Sequence, residues 1–156
     1  MTKTLLVLLM VLGMSTAAIA KDAAAPPAMG KGARSPFMAA LADLKWVALP
    51  ERPGMEYALI TGDPATRAYT QMRKVPAGTA NPLHRHSSEL TNVIISGVWY
   101  TGPDSASARD FGPGSIVMMP ADWPHVSGCR PGADCVFYQD GKGRFDFKPV
   151  PPGAVK

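Results

Sequence analysis

Hydrophobic and polar positions alternate along this chain in short runs, cut apart by clusters of Pro, Gly, Asp and Ser. The runs are Trp46–Leu49, Tyr57–Ile60, Ala68–Val75, Asn92–Tyr100, Ser115–Met119 and Cys135–Gln139. Between them fall Pro50-Glu51-Arg52-Pro53-Gly54, Gly62-Asp63-Pro64, Pro76-Ala77-Gly78, Gly102-Pro103-Asp104 and Gly112-Pro113-Gly114. Alternation sends successive side chains to opposite faces of a strand. Many short strands with Pro/Gly-rich turns predict an all-β sandwich or barrel. Helix is expected at one place, where Ser35 can cap and Pro36 can open a short segment through Phe37–Leu41.

The ends of the chain follow other patterns. Lys3 supplies a positive start, Leu5–Leu12 an apolar core, and Ala18-Ile19-Ala20 a small-residue cleavage site before Lys21. Residues 1–20 are therefore expected to be a signal peptide, cleaved near Ala20 and too short to remain as a membrane span. Lys21 rather than a cysteine stands directly after the cleavage site, so a lipid anchor is not expected and the mature chain should be soluble and periplasmic. Residues 21–34, rich in Ala, Pro and Gly, read as a flexible linker. Residues 35–148 form the single expected domain, and residues 149–156 an extended or frayed tail.

Charge excludes one class of partner. The formal net charge is +4, but the basic residues are scattered without a run, so no nucleic-acid surface is predicted. The mild positive balance aids solubility, and attraction of an anionic ligand is the weaker alternative. Cys129 and Cys135 bracket Arg130-Pro131-Gly132-Ala133-Asp134, a turn sequence that puts them at the neck of a hairpin. An oxidising compartment favours a disulfide there, stabilising by ~2 kcal/mol; a free redox-active pair is the alternative.

The candidate chemistry lies in the histidines. All three occur in two segments, Gly78-x5-His84-Arg85-His86 running on through Glu89 to Gly97, and Gly114-x5-Pro120-Ala121-Asp122-Trp123-Pro124-His125. His84 and His86 share a strand face. His125 completes a facial set if the strand Ser115–Met119 lies beside theirs. Three imidazoles suit one divalent ion of iron, manganese, nickel, copper or zinc, and leave positions open. Met118 and Met119 are expected in the packing rather than at the ion. Trp123, Gln71, Arg73, Tyr138 and Gln139 are weaker candidates for a pocket lining. Trp99 and Tyr100 should divide between core and surface.

These segments resemble the two motifs of the cupin family, small jelly-roll β-barrels. Gly78, His84, His86 and Gly97 match the first motif; Gly114, Pro120 and His125 match the second. Asp122 stands where glycine is usual, and Cys129 where asparagine is usual. More narrowly, the chain is similar to exported single-domain cupins with a Gly-Asp-Pro turn, here Gly62-Asp63-Pro64. The family's glutamate position falls on Leu90, one place after Glu89. Two sites stay open. Either a bulge turns Glu89 inward as a fourth ligand, or the ion has three histidines and waters while Glu89 stands behind the ligands, as a catalytic proton-handling group near bound water, or is merely exposed. The resemblance implies a metal-dependent enzyme, oxygenase- or isomerase-like, on a small-molecule substrate. It also implies a non-catalytic periplasmic ligand- or metal-sensing barrel as the alternative, and a homodimer as a possible assembly.

Overall fold

The structure is a computed structural model, and it describes residues 35–151. By contact the chain divides into Met1–Pro36 and Phe37–Lys156, and every strand lies in the second unit. The expected signal peptide and linker lie outside the described residues, as does most of the expected tail.

The described residues are all-β apart from one 3-10 turn, Leu41–Asp43. The strands are β1 Val47–Ala48, β2 Glu56–Gly62, β3 Tyr69–Val75, β4 Ala80–Arg85, β5 Leu90–Ser96 and β6 Trp99–Gly102. They continue as β7 Arg109–Phe111, β8 Ile116–Met119, β9 His125–Cys129, β10 Cys135–Gly141 and β11 Lys148–Pro149. A six-stranded sheet runs β1-β2-β3-β10-β5-β8, and a five-stranded sheet runs β11-β4-β9-β6-β7. Every pairing is antiparallel.

Alternation assigns the faces, and it overturns one expectation: Met118, expected in the packing, faces solvent, because it alternates with the buried Val117 and Met119. On β3, Tyr69, Gln71, Arg73 and Val75 turn inward; on β8, Val117 and Met119 are buried while Ile116 and Met118 face solvent. One core cluster joins Met55, Val75, Ile94, Trp99 and Phe137 around the cysteines, with the Trp99 and Phe137 rings 5.0 Å apart. A second joins Tyr69, Leu90, Val117 and Met119. A third lies on the outer face of the larger sheet, where Leu44 and Trp46 cover Ala58, Met72 and Val136. Burying each large side chain contributes roughly 1.5–3 kcal/mol.

Four local expectations change. The helix over Phe37–Leu41 is absent: Ala40 precedes the 3-10 turn with an extended backbone and has no side-chain oxygen to cap it. The Asn92–Tyr100 run is two strands in different sheets, divided at Gly97. That residue sits at φ 71°, and a Cβ there would lie 2.7 Å from the Asp134 carbonyl oxygen, so only glycine fits. The disulfide Cys129–Cys135 is formed, with Cα atoms 5.7 Å apart. It does not close a hairpin, because β9 and β10 belong to opposite sheets and the bond ties the two together at a corner. The tail begins inside the smaller sheet: Lys148 and Pro149 pair with Arg85 and His84, and Val150 N donates to Leu83 O at 3.0 Å.

Candidate metal centre

Strand β4 carries an irregularity between Asn81 and His84, where Pro82 and Leu83 stand opposite a single residue of β9, Val126. Pro82 has no N–H to place in a ladder, so a bulge is a natural position for it. The extra residue turns both Asn81 and His84 inward although they are three apart. His86 follows two residues on and faces the same way. His125, the first residue of β9, is the cross-strand partner of His84. The strand beside β4 is thus β9; Ser115–Met119, expected in that place, pairs with β5 in the other sheet.

Each ring is almost fully buried, at 2% (His84), 8% (His86) and 1% (His125) exposure. The His84 ring lies 4.2 Å from that of His125 and 5.0 Å from that of His86, centroid to centroid. One nitrogen from each lies within 4.8 Å of the others, close enough that a small side-chain adjustment would let them share one ion.

The outward nitrogens explain why the inward ones are free. His84 Nδ1 faces the Pro82 carbonyl oxygen at 2.7 Å, His125 Nδ1 faces that of Trp123 at 2.9 Å, and His86 Nδ1 bonds that of Asp146. A carbonyl only accepts, so each Nδ1 carries the proton and each Nε2 keeps its lone pair. His125 Nε2 is buried without a hydrogen-bond partner, a costly arrangement that a bound cation would relieve. Burial is the main cause that lowers all three basicities, with the neighbouring imidazoles adding to it at His84 and His86. His84 is brought down to about 3 and His86 to about 4, so the rings are neutral near pH 7. Backbone-oriented, neutral imidazoles of this kind are what a transition-metal ion requires.

Glu89 is not among the donors that meet. The irregularity of β5 against β10 lies between Ser96 and Ile94, far from Glu89, and none turns its carboxylate inward. Leu90 takes the inward position at 1% exposure, while the Glu89 carbonyl accepts from Lys142 N at 3.0 Å. The pleat period prevails, and the ligand set the structure assembles is three histidines.

The histidines open on a cavity of about 40 Å³ between the sheets. Of the weaker sequence candidates, Arg73 and Gln139 line it. Gln71 is buried alongside and donates to Gln139 Oε1 at 2.9 Å, which also accepts from the Tyr69 hydroxyl at 3.0 Å. Tyr138 lies on the outer face instead. Trp123 stacks on His125 at 5.1 Å and 17° without lining the cavity. Trp99 is core and Tyr100 is not; Met119 is core and Met118 is 54% exposed.

The segment between β10 and β11 was not singled out by sequence reasoning, and it closes the site. Phe147 stacks on His84 at 4.1 Å, and Phe145 lies 5.3 Å from His86. Asp146, between them, accepts from Ser87 N at 2.8 Å and Ser87 Oγ at 2.7 Å. Alternation of Phe145 and Phe147 about Asp146 was the available signal. Asn81 was missed as well; it donates to Ser127 Oγ at 3.0 Å and accepts from Arg52.

A double-sheeted antiparallel barrel with three histidines converging inside it defines a cupin. The sequence comparison is specific: residues 34–139 match the ChrR cupin-like domain family, and the chain belongs to it. No curated protein matches the chain. Among solved structures, the chain is similar to the polyketide cyclase RemF from Streptomyces resistomycificus. The identity is 22% and the TM-score 0.59, covering 74% of this chain and 86% of that one. An RmlC-like cupin protein from Ralstonia eutropha is similar at 20% identity and TM-score 0.59, with 72% of each chain covered. The complex of Rhodobacter sphaeroides SigE with the anti-sigma ChrR is similar at 23% identity and TM-score 0.52, covering 65% of this chain and 51% of that one. These likenesses show a shared fold.

Proposed function

We propose that this chain is an exported cupin that holds one divalent transition-metal ion on His84, His86 and His125 and acts on a small molecule as an oxygenase- or isomerase-like enzyme. One observation carries the reading: three buried imidazoles, each held by a backbone carbonyl, direct neutral nitrogens at one point. Three protein donors leave the remaining coordination positions to solvent or substrate, as catalytic sites require. Once bound, the ion supplies Lewis-acid polarisation of a ligand atom. The protein's own part is to orient the rings, to exclude water with Phe145 and Phe147, and to position the substrate. Glu89 takes no part in this reading. The Cys129–Cys135 disulfide and the pattern of residues 1–20 support export to an oxidising compartment.

A second reading, a non-catalytic barrel that senses a ligand or a metal, draws on the small cavity and on the anti-sigma ChrR in one of the similar structures. Elemental analysis of protein purified without added metal separates the possibilities. Wild type should carry close to one metal per chain, and His84→Ala and His125→Ala less than about a tenth of that. Metal retained in both variants overturns the site. A redox-active, exchangeable ion with substrate turnover favours the enzyme; slowly exchanging zinc without turnover favours the sensing barrel.

A further inference from the structure

The cavity is lined by cations and has no anion of its own. Arg73, on the inner face of β3, is 8% exposed and lines the cavity with the histidines. Among the described residues no carboxylate forms an ion pair with it, Glu51 acting on it only at longer range through its charge, and its guanidinium lies over the face of Phe145, 5.2 Å from the ring centre. Arg52 also lines the cavity, held by Asn81 and lying 4.6 Å over Phe147. No Asp or Glu is found among the lining residues.

A buried guanidinium without a directly paired counter-charge is a costly arrangement that a bound anion would relieve. Burial lowers the Arg73 basicity to about 10, which leaves it charged at neutral pH. A second unpaired donor points the same way. Trp99 lines the cavity, and its Nε1–H is buried without an acceptor. A divalent ion on the histidines would add further positive charge. The planar fork of arginine matches a carboxylate in particular, and the limited space favours a small one.

We propose that the ligand of this cavity is a small carboxylate, held by the guanidinium of Arg73 with Arg52 as a second cation and the Trp99 indole as a further donor. The inference rests on the metal-enzyme reading only for where the ligand reacts; the anion subsite stands on this chain's own side chains.

The test uses acetate as the probe and acetamide as its neutral isostere, on wild type, Arg73→Met and Arg73→Lys, each cobalt-loaded and metal-free. Cobalt content and its visible spectrum report the metal centre separately from the anion. In cobalt-loaded wild type, acetate should shift the spectrum and acetamide should not. In Arg73→Met the acetate Kd should rise at least about tenfold at unchanged cobalt content, with Arg73→Lys between. In the metal-free form acetate, not acetamide, should raise Tm in wild type and not in Arg73→Met. Equal acetate affinity in wild type and Arg73→Met, equal binding of acetamide and acetate to wild type, or no binding of acetate overturns the proposal. Should wild type take up no cobalt, the metal reading fails and the metal-free arm still decides the anion subsite. Should Arg73→Met not fold, Arg73→Lys and the acetate–acetamide comparison decide it.

Discussion

Asp122 holds its backbone at φ 59°, in the left-handed region, and is the only described non-glycine residue to do so. That explains how it stands where the family motif has glycine. The turn Pro120–Trp123 needs the left-handed geometry so that Asp122 N can donate to His86 O at 2.8 Å. Aspartate tolerates this conformation better than most side chains, and a β-branched residue does not. Asp122→Gly should therefore melt at or above wild type, whereas Asp122→Val should lose about 1–2 kcal/mol. Denaturant titration of the two variants checks this; equal stability would mean that the turn relaxes to negative φ. The bond from Asp122 N also ties the second histidine segment to the first.

The element that does most for the site is the strap between β10 and β11. It brings two phenyl rings against the histidines, and the Asp146 carbonyl fixes the tautomer of His86. The Asp146 carboxylate anchors the strap on Ser87. Burial alone would raise its pKa, but the Ser87 hydroxyl and N–H, together with Lys148, hold it below the usual aspartate value. Partners that orient a metal-binding histidine commonly affect affinity by 10–100-fold. Asp146→Ala keeps the carbonyl but frees the strap, so zinc affinity should fall about tenfold, the lower end of that range, with the fold intact. Competition with a chelator measures this; an unchanged affinity would mean that Phe145 and Phe147 hold the strap unaided. At the opposite corner the Cys129–Cys135 bond ties β9, which begins with His125, to β10, which carries Gln139, and so braces the two sheets around the cavity.

For the whole molecule, the buried histidines set the response to acid. In the metal-free protein all three fold with pKa values below the ordinary 6.5. Between pH 6.5 and the folded values, the unfolded chain binds more protons than the native state, so stability falls as pH falls. Metal-free Tm should be level above about pH 7, decline from there through pH 4.5, and decline less in His84→Gln. Calorimetry across that range checks the sign, and a flat profile would mean that water reaches the rings. Bound metal should be released over the same interval, since protons compete for the same nitrogens. Most of the architecture behind this response was legible beforehand. The alternation of β3 and β8, the turns at their ends and the histidine segments all sit in local sequence. The absent helix, the corner in place of a hairpin and the strap were not legible, because each depends on a partner far along the chain.

Residue order by itself determined that the chain is β-rich, where its turns fall, and that His84, His86 and His125 are the candidate donors to a shared ion. Period-two alternation assigns a side chain to a face, and Pro and Gly limit the backbone locally. Only the tertiary structure decided that β9 lies beside β4, that Glu89 stays outside while Leu90 enters, and that Arg73 faces the cavity without a carboxylate. Strand alternation states which residues share a face but not which strand lies opposite. That choice belongs to long-range pairing and packing, and it is where the chemistry of the cavity is set.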